Sequence, residues 1–400
     1  MHIVTSTDIL LPRAEDMGAW SVIACDQFTS EPEYWAAAEA RAAEKPSTLS
    51  LMLPEAWLHT ARADGADERI ADTMRRYLAE GVFQTVPDSF IYVERTLSDG
   101  RVRRGLVAAL DLEQYDFTGT QRASVRSTEG TVEERLPPRV NIRRGAPLEM
   151  PHTLLLMDDR TDSVLSLAEK AKDTLEKVYD FDLMLGGGHI AGWRVSGETK
   201  AAVQSALDAL DNAALQREKY GDAVENGKLT FAVGDGNHSL AAAKWFWEEK
   251  RETLPENERE TDPARFALVE IENIHEPSLD FEPIHRVIFD TDTSAFAAEF
   301  TAHRTEWEAE DKTLGERVAA AESFCRAYIA VHGGYIDYIH GDDTARSLGE
   351  KPNCAAVLLP PVEKSGLFLS VLKNGALPKK SFSMGNARDK RYYLECRKIR

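Results

Sequence analysis

The chain has 400 residues, 43% of them hydrophobic and 29% charged, the balance of a soluble folded protein that is too long for one ordinary core. Its net charge of −19 repels phosphate backbones, so nucleic acid is not expected as a general partner. No apolar run approaches the roughly 20 residues needed to span a bilayer, the first residues lack the basic-then-apolar order of a signal peptide, and the four scattered cysteines are expected as reduced thiols of a cytoplasmic protein.

Trp20–Cys25 is a short apolar run suited to a buried strand, and Asp26–Ser30 a polar turn. A helix is predicted from about Glu31 to Lys45, with Pro32 in its first turn and Ser30 and Glu33 at capping-box spacing. A second helix is predicted over Asp67–Glu80, stopped by Gly81. Ser89–Glu94 and Val102–Leu110 read as a hairpin across the Ser-Asp-Gly turn at 98–100. The stretch Gln121–Arg144, rich in Arg, Glu and Pro, reads as an ordered loop.

His152–Met157 reads as a buried strand ending in Asp158-Asp159, and Leu165–Val178 as a helix. Asp182–Leu185 and His189–Val195 form a second hairpin candidate across Gly186-Gly-Gly188. A helix over Glu198–Leu210 precedes the polar segment Asp211–Lys228, where a soft boundary is placed. Two α/β domains are therefore expected, over 1–225 and 226–400. Leu229–Val233 is a strand, followed by a glycine turn and a helix from about His238 to Arg251; Phe266–Ile271 is another strand. Helical patterns follow at Ser294–Ala302 and Leu314–Ala330, and strand-like pieces at Tyr335–Ile339, Ala355–Leu359 and Leu367–Val371. Hairpins mixed with helices indicate a mixed α/β (α+β) fold rather than a doubly wound sheet.

The strongest chemical signal is the turn Gly234-Asp-Gly-Asn-His-Ser239 between a strand and a helix. Unpaired amides at a helix N-terminus favour an anion, and Gly234 and Gly236 let backbone approach it. Asn237 is placed to cap the helix, Ser239 and His238 to donate to phosphate oxygens, and Asp235 to hold Mg²⁺ or orient His238. An ordinary left-handed turn with a good cap has the same pattern. In the segment Arg122–Thr131, Arg126 offers a bidentate fork to phosphate or carboxylate, with Arg122, Thr128 and Glu129 beside it; a surface ion-pair segment would look alike. Asp26 and Glu31 stand at a strand end and a helix start, where a carboxylate can take a proton from a hydroxyl or simply favour the helix dipole. His285-Arg286 reads equally as a ligand pair or a satisfied core pair, Asp158-Asp159 as metal ligands or a turn, and Gly186–His189 as a hairpin turn.

Four segments occur together and in order: ACDQFTSEPEYW at 24–35, SVRSTEGTVEERLPPR at 124–139, DGNHS at 235–239 and LPKKSFSMGNARDKRYYLE at 377–395. In this the chain resembles, over nearly its whole length, family 1015 of domains of unknown function. The resemblance implies a ParB/sulfiredoxin-like core with an additional α/β subdomain. One archaeal branch of that family is a free serine kinase with ADP as donor. Asp235, Gly236, Asn237 and His238 match its Asp-Gly-His-His phosphate-side motif, with Asn237 in place of a His and Ser239 in place of an Arg. The general base is implied in the 26–31 stretch. The expected activity is therefore phosphoryl transfer from ADP or ATP, with Mg²⁺, to L-serine or a similar hydroxy amino acid. Glu31 or Asp26 is the base, Arg126 neutralises charge, and Glu129, Arg122, His285 and Arg286 hold the amino acid. A nucleotide-binding regulatory protein of ParB-like fold without turnover is the alternative.

Overall fold

A computed structural model describes residues 2–119, 122–307 and 312–400. The fold is mixed α/β, built on an eleven-stranded mixed sheet. Its main path runs Glu176–Asp182, His189–Val195, Phe83–Thr96, Val102–Asp111, Phe266–Asn273, Leu154–Met157, Phe231–Asp235, Val125–Ser127 and Tyr115–Asp116. The central strands are apolar on both faces because both are covered, as the period-two alternation of side chains requires. On one face Tyr92, Leu106, Ala108, Leu155 and Val233 pack beneath helices that contribute Val140, Leu165, Val203 and Trp247. On the other, Ile91, Val93, Val107 and Leu268 pack against Trp20, Trp35, Met74 and the C-terminal Tyr392–Ile399 segment.

Two strands from beyond residue 225, Phe231–Asp235 and Phe266–Asn273, lie inside this sheet. The boundary expected at 225/226 thus cuts through one sheet, since Phe266–Asn273 pairs antiparallel with Val102–Asp111 and parallel with Leu154–Met157. A smaller sheet of Tyr335–His340, Phe281–Phe289 and Ala355–Val357 carries its own apolar cluster with the helix Leu314–His332.

Several expectations are corrected. The Glu31–Lys45 helix is Pro32–Ala42, capped by Glu31 without a side-chain hydrogen bond, so no capping box forms at Ser30 and Glu33. The loop expected over Gln121–Arg144, of which Gln121 lies outside the described residues, holds the strand Val125–Ser127 and the helix Leu136–Gly145. Pro137 and Pro138 fall in that helix's first turn, where a missing N–H costs nothing. The Leu165–Val178 helix ends at Ala171, and Glu176–Asp182 is the strand that pairs with His189–Val195. Leu367–Val371 is not a strand but the start of the helix Leu367–Asn374, because Leu367, Phe368, Val371 and Leu372 share one buried stripe.

The last 24 residues return across the molecule as a strap. Leu377 N–H donates to Thr128 O, Phe382–Met384 pairs with Phe281–Pro283, Tyr392-Tyr393 with Val22-Ile23, and Arg397-Lys398 with Leu148-Glu149. Buried ion pairs fasten it, Arg391 to Glu270 and Glu395, and Arg397 to Glu149.

Candidate functional site

The strand Phe231–Asp235 ends at Asp235, Gly236 turns left-handed at φ +76°, and the helix Asn237–Thr253 begins. Gly236 is itself the cap, and Asn237 is the first helical residue rather than the cap expected from sequence. Its Oδ1 is buried with no hydrogen-bond partner among the described residues. The two glycines also serve a different purpose from the one expected. A Cβ on Gly236 would sit 2.8 Å from Thr153 Cα, and one on Gly234 would sit 2.6 Å from Met384 Sδ. Both let neighbouring chain, not an anion, come close.

Around this turn the fold gathers titratable side chains from four segments. Lys390 Nζ lies 3.0 Å from Asp235 Oδ2, and Gly236 N–H donates to Asp235 Oδ1 at 2.8 Å. Burial alone would raise the Asp235 pKa, but Lys390 and His152 more than offset it and hold the carboxyl below its usual range. His152, buried, places Nε2 4.0 Å from Asp26 Oδ2 and 3.4 Å from Ser239 Oγ, while Tyr393 OH lies 2.7 Å from its Nδ1. The same phenol reaches Cys25 Sγ at 3.2 Å. His238 Nε2 accepts the Val132 N–H at 3.2 Å, which puts the proton of the neutral ring on Nδ1. Burial, with Arg139 and Arg135 nearby, pushes the His238 pKa down to about 4.

The turn thus offers three amides, those of Asn237, His238 and Ser239, with no acceptor inside their own helix, a lysine ammonium, and a carboxylate–imidazole pair. Asp235 is a poor fit for the expected Mg²⁺: its two oxygens are taken by Lys390 and the Gly236 amide. Nor do the described residues contain any group of three or more His, Cys, Asp or Glu able to hold a metal ion.

Other expected site residues are elsewhere or engaged. Arg126 bonds the carbonyls of Ala123, Asn226 and Lys228 at the opposite end of the strand Phe231–Asp235, so its fork does not face the turn. Arg122 bonds Glu225 O in the same region. Thr128 Oγ1 donates to Val233 O, stitching two strands. Glu129 Oε1 accepts the amides of Lys380 and Ser381, anchoring the strap; burial raises its pKa in spite of those amides. His285 and Arg286 are fully buried in the small sheet. His285 is held by Asp342 and the Leu359 amide, and Arg286 by Glu322, Ile284 O and the Tyr338 ring. Glu31 is exposed, and among the described residues no hydrogen bond or ion pair joins its carboxylate to the cluster. Asp158 is bound by Tyr220 and His275, and Asp159 caps the chain at Val164, so both are structural. Gly186–His189 is a hairpin turn, as expected.

Sequence reasoning passed over His152, Lys390 and Tyr393. Each carried a signal: His152 opens an apolar strand, where side chains reach the sheet's end, and Lys390 and Tyr393 lie in the basic, aromatic DKRYYLE segment.

The chain belongs to the DUF1015 family of proteins of unknown function, which it matches over residues 7–398. No curated protein matches it. Among solved structures it is similar to a free serine kinase in complex with AMP, at 10% identity and a TM-score of 0.34, over 72% of this chain and 90% of that one. A conserved hypothetical protein from Pyrococcus furiosus is similar at 9% identity and a TM-score of 0.33, over 73% and 95% of the two chains. SbnI from Staphylococcus aureus, truncated at its C-terminus, is similar at 10% and 0.32, over 70% and 82%. Identities this low say nothing of substrate. No helix of the described residues is long and apolar enough to cross a membrane.

Proposed function

We propose that the chain is a phosphotransferase that moves a phosphoryl group from ADP or ATP to the hydroxyl of a small acceptor such as L-serine. One observation carries the reading. Asp26 and His152 stand beside a helix N-terminus that Lys390 of the strap approaches through Asp235, so a proton acceptor and an anion cradle share one turn. Phosphoryl transfer needs this pairing and little else from a protein: positioning, charge neutralisation and a base. The first amides of the helix, the Nδ1–H of His238 and Lys390 meet the phosphates. Mg²⁺ arrives on the nucleotide as part of the substrate.

Asp26 accepts the hydroxyl proton, and His152, pinned by Tyr393, orients that carboxylate. The acceptor oxygen bonds to the terminal phosphorus, the bond from that phosphorus to the bridging oxygen breaks, and its electron pair leaves on the nucleotide. ADP yields AMP, and ATP yields ADP. Asp26 takes precedence over Glu31 as base because it alone touches the cluster.

Titration calorimetry with ADP and ATP, with and without Mg²⁺ and L-serine, tests the reading, followed by mass spectrometry for a phosphorylated acceptor. Saturable nucleotide binding that Lys390→Met weakens is the expected result. A well-folded protein that binds neither nucleotide would sink the proposal.

A further inference from the structure

One edge of the cluster, formed by Cys25, Ser239 and Tyr393, is also the wall of a cavity of about 170 Å³. The rest of the lining is mainly aliphatic and thioether: Leu51, Met52, Met74, Ile142, Leu148 and Met150. Ser239 and Tyr393 both contact the His152 ring, which faces Asp26, and Cys25 precedes Asp26 in the chain, so the cavity abuts the wall that carries the proposed proton acceptor.

The chemistry of the lining selects its occupant. The charged groups on it are paired with each other, Arg139 with Glu55 and Arg143 with Glu149. Only the Nε of Arg143 is a buried donor without a partner among the lining side chains of the described residues. Burial pushes the Cys25 thiol up to about 12, so it stays an uncharged S–H and behaves as a small apolar wall. A purine entering here would surrender water at several ring nitrogens and an amine, and Arg143 Nε is the one buried, unpartnered side-chain donor among the described residues of the lining to offset that loss. A hydrocarbon chain or phenyl ring surrenders nothing. A cavity of roughly 150 Å³ lined in this way accommodates benzene, and methionines adapt their shape to a variable guest.

We infer that this cavity takes the apolar substituent of the acceptor. The acceptor is then a 3-hydroxy acid or 3-hydroxy amino acid bearing a hydrocarbon or aromatic group of about six carbons, with its hydroxyl presented to Asp26. The assignment of the hydroxyl rests on the phosphotransferase reading, whereas occupancy of the cavity does not.

The test is calorimetry on the full chain with 3-hydroxybutanoate, 3-hydroxyhexanoate and 3-hydroxyoctanoate, with L-serine and 3-phenylserine, and separately with ADP. Affinity is expected to tighten about fourfold per methylene until the cavity is full, since each buried methylene contributes about 0.8 kcal/mol. 3-Phenylserine should bind more tightly than L-serine. Leu58→Trp, at the half-buried rim, should flatten the series and leave ADP binding unchanged; Met74→Phe, from the far wall, gives the same readout should the first variant fold poorly. Affinity that ignores chain length, or a series that survives both variants, would overturn the inference. Loss of ADP binding in Leu58→Trp would overturn it too, and give the cavity to the base. A chain-length series without any nucleotide binding would retain the cavity's ligand and discard phosphoryl transfer.

Discussion

Two of the histidines that lie beside charged partners, His285 and His152, differ in where along a strand they stand. His285 lies within the strand Phe281–Phe289, with both ring nitrogens satisfied and no exposure. His152 stands just before the strand Leu154–Met157, at the open end of the large sheet, and its neighbours Asp26, Asp235 and Lys390 are only partly buried. A charge inside a strand must be compensated completely to be tolerated. A charge at a strand end can stay in contact with water and with a ligand. The same residue types thus serve packing in one place and chemistry in the other.

The sharpest way to break this comparison is through activity. Asp26→Asn should lower turnover by about 10²–10⁴-fold, the usual range for a general base, with nucleotide affinity nearly unchanged. Glu31→Gln should lower it by less than about threefold, because that carboxylate is exposed and outside the cluster. Single-turnover kinetics measure both, and the reverse ranking would move the base to Glu31.

The small sheet should answer in stability instead. Arg286→Met leaves Glu322 without one of its cations and removes a fully buried fork, and the expected loss is about 3 kcal/mol in urea unfolding. Nucleotide binding by the folded fraction should not change. A folded variant that lost acceptor binding instead would restore the substrate role expected for His285 and Arg286.

Much of the large sheet was legible because burial on both faces forces continuous apolar runs, as at Val102–Asp111 and Leu154–Met157. The turn at 235–239 was legible for a similar reason, since glycine between a strand and a helix has few other readings. What could not be read was direction and long-range company. Arg126 lies in the strand that brings Thr128 to the turn, yet its own side chain runs back to the carbonyls of Asn226 and Lys228. Lys390 reaches Asp235 only because the strap crosses the sheet, a contact 155 residues apart in the chain that no local pattern encodes. The Gln121–Arg144 stretch hid a helix because its Pro-Pro pair suggests a break, whereas in the first turn proline is at home.

A smaller effect is expected where the strap meets the turn. Lys390→Met removes the cation that faces Asp235 and should weaken ADP or ATP binding about tenfold, or about 1.4 kcal/mol. Because Asp235 then loses its strongest compensating charge, its pKa should rise toward and above the ordinary carboxylate value, and binding should recover in part as pH falls. Binding isotherms between pH 5 and 8 distinguish this from a purely steric role, which would leave the defect independent of pH.

The smallest effect tests the turn without any ligand. His238 is neutral in the fold, its pKa pushed down to about 4 from an ordinary 6.5 by burial and by Arg139 and Arg135. Between those values the unfolded chain binds more protons than the folded one, so stability from this group is complete above pH 6.5 and lost as pH falls toward 4. The loss should be on the order of 1–2 kcal/mol after allowance for solvent near the ring. His238→Gln keeps an amide oxygen that can accept the Val132 N–H yet cannot take a proton, so its urea midpoint should fall less than the wild type's over that window. Equal slopes for the two proteins would mean that His238 titrates in the fold as in the unfolded chain, and that below about pH 6.5 it meets a phosphate as a cation rather than as a neutral donor.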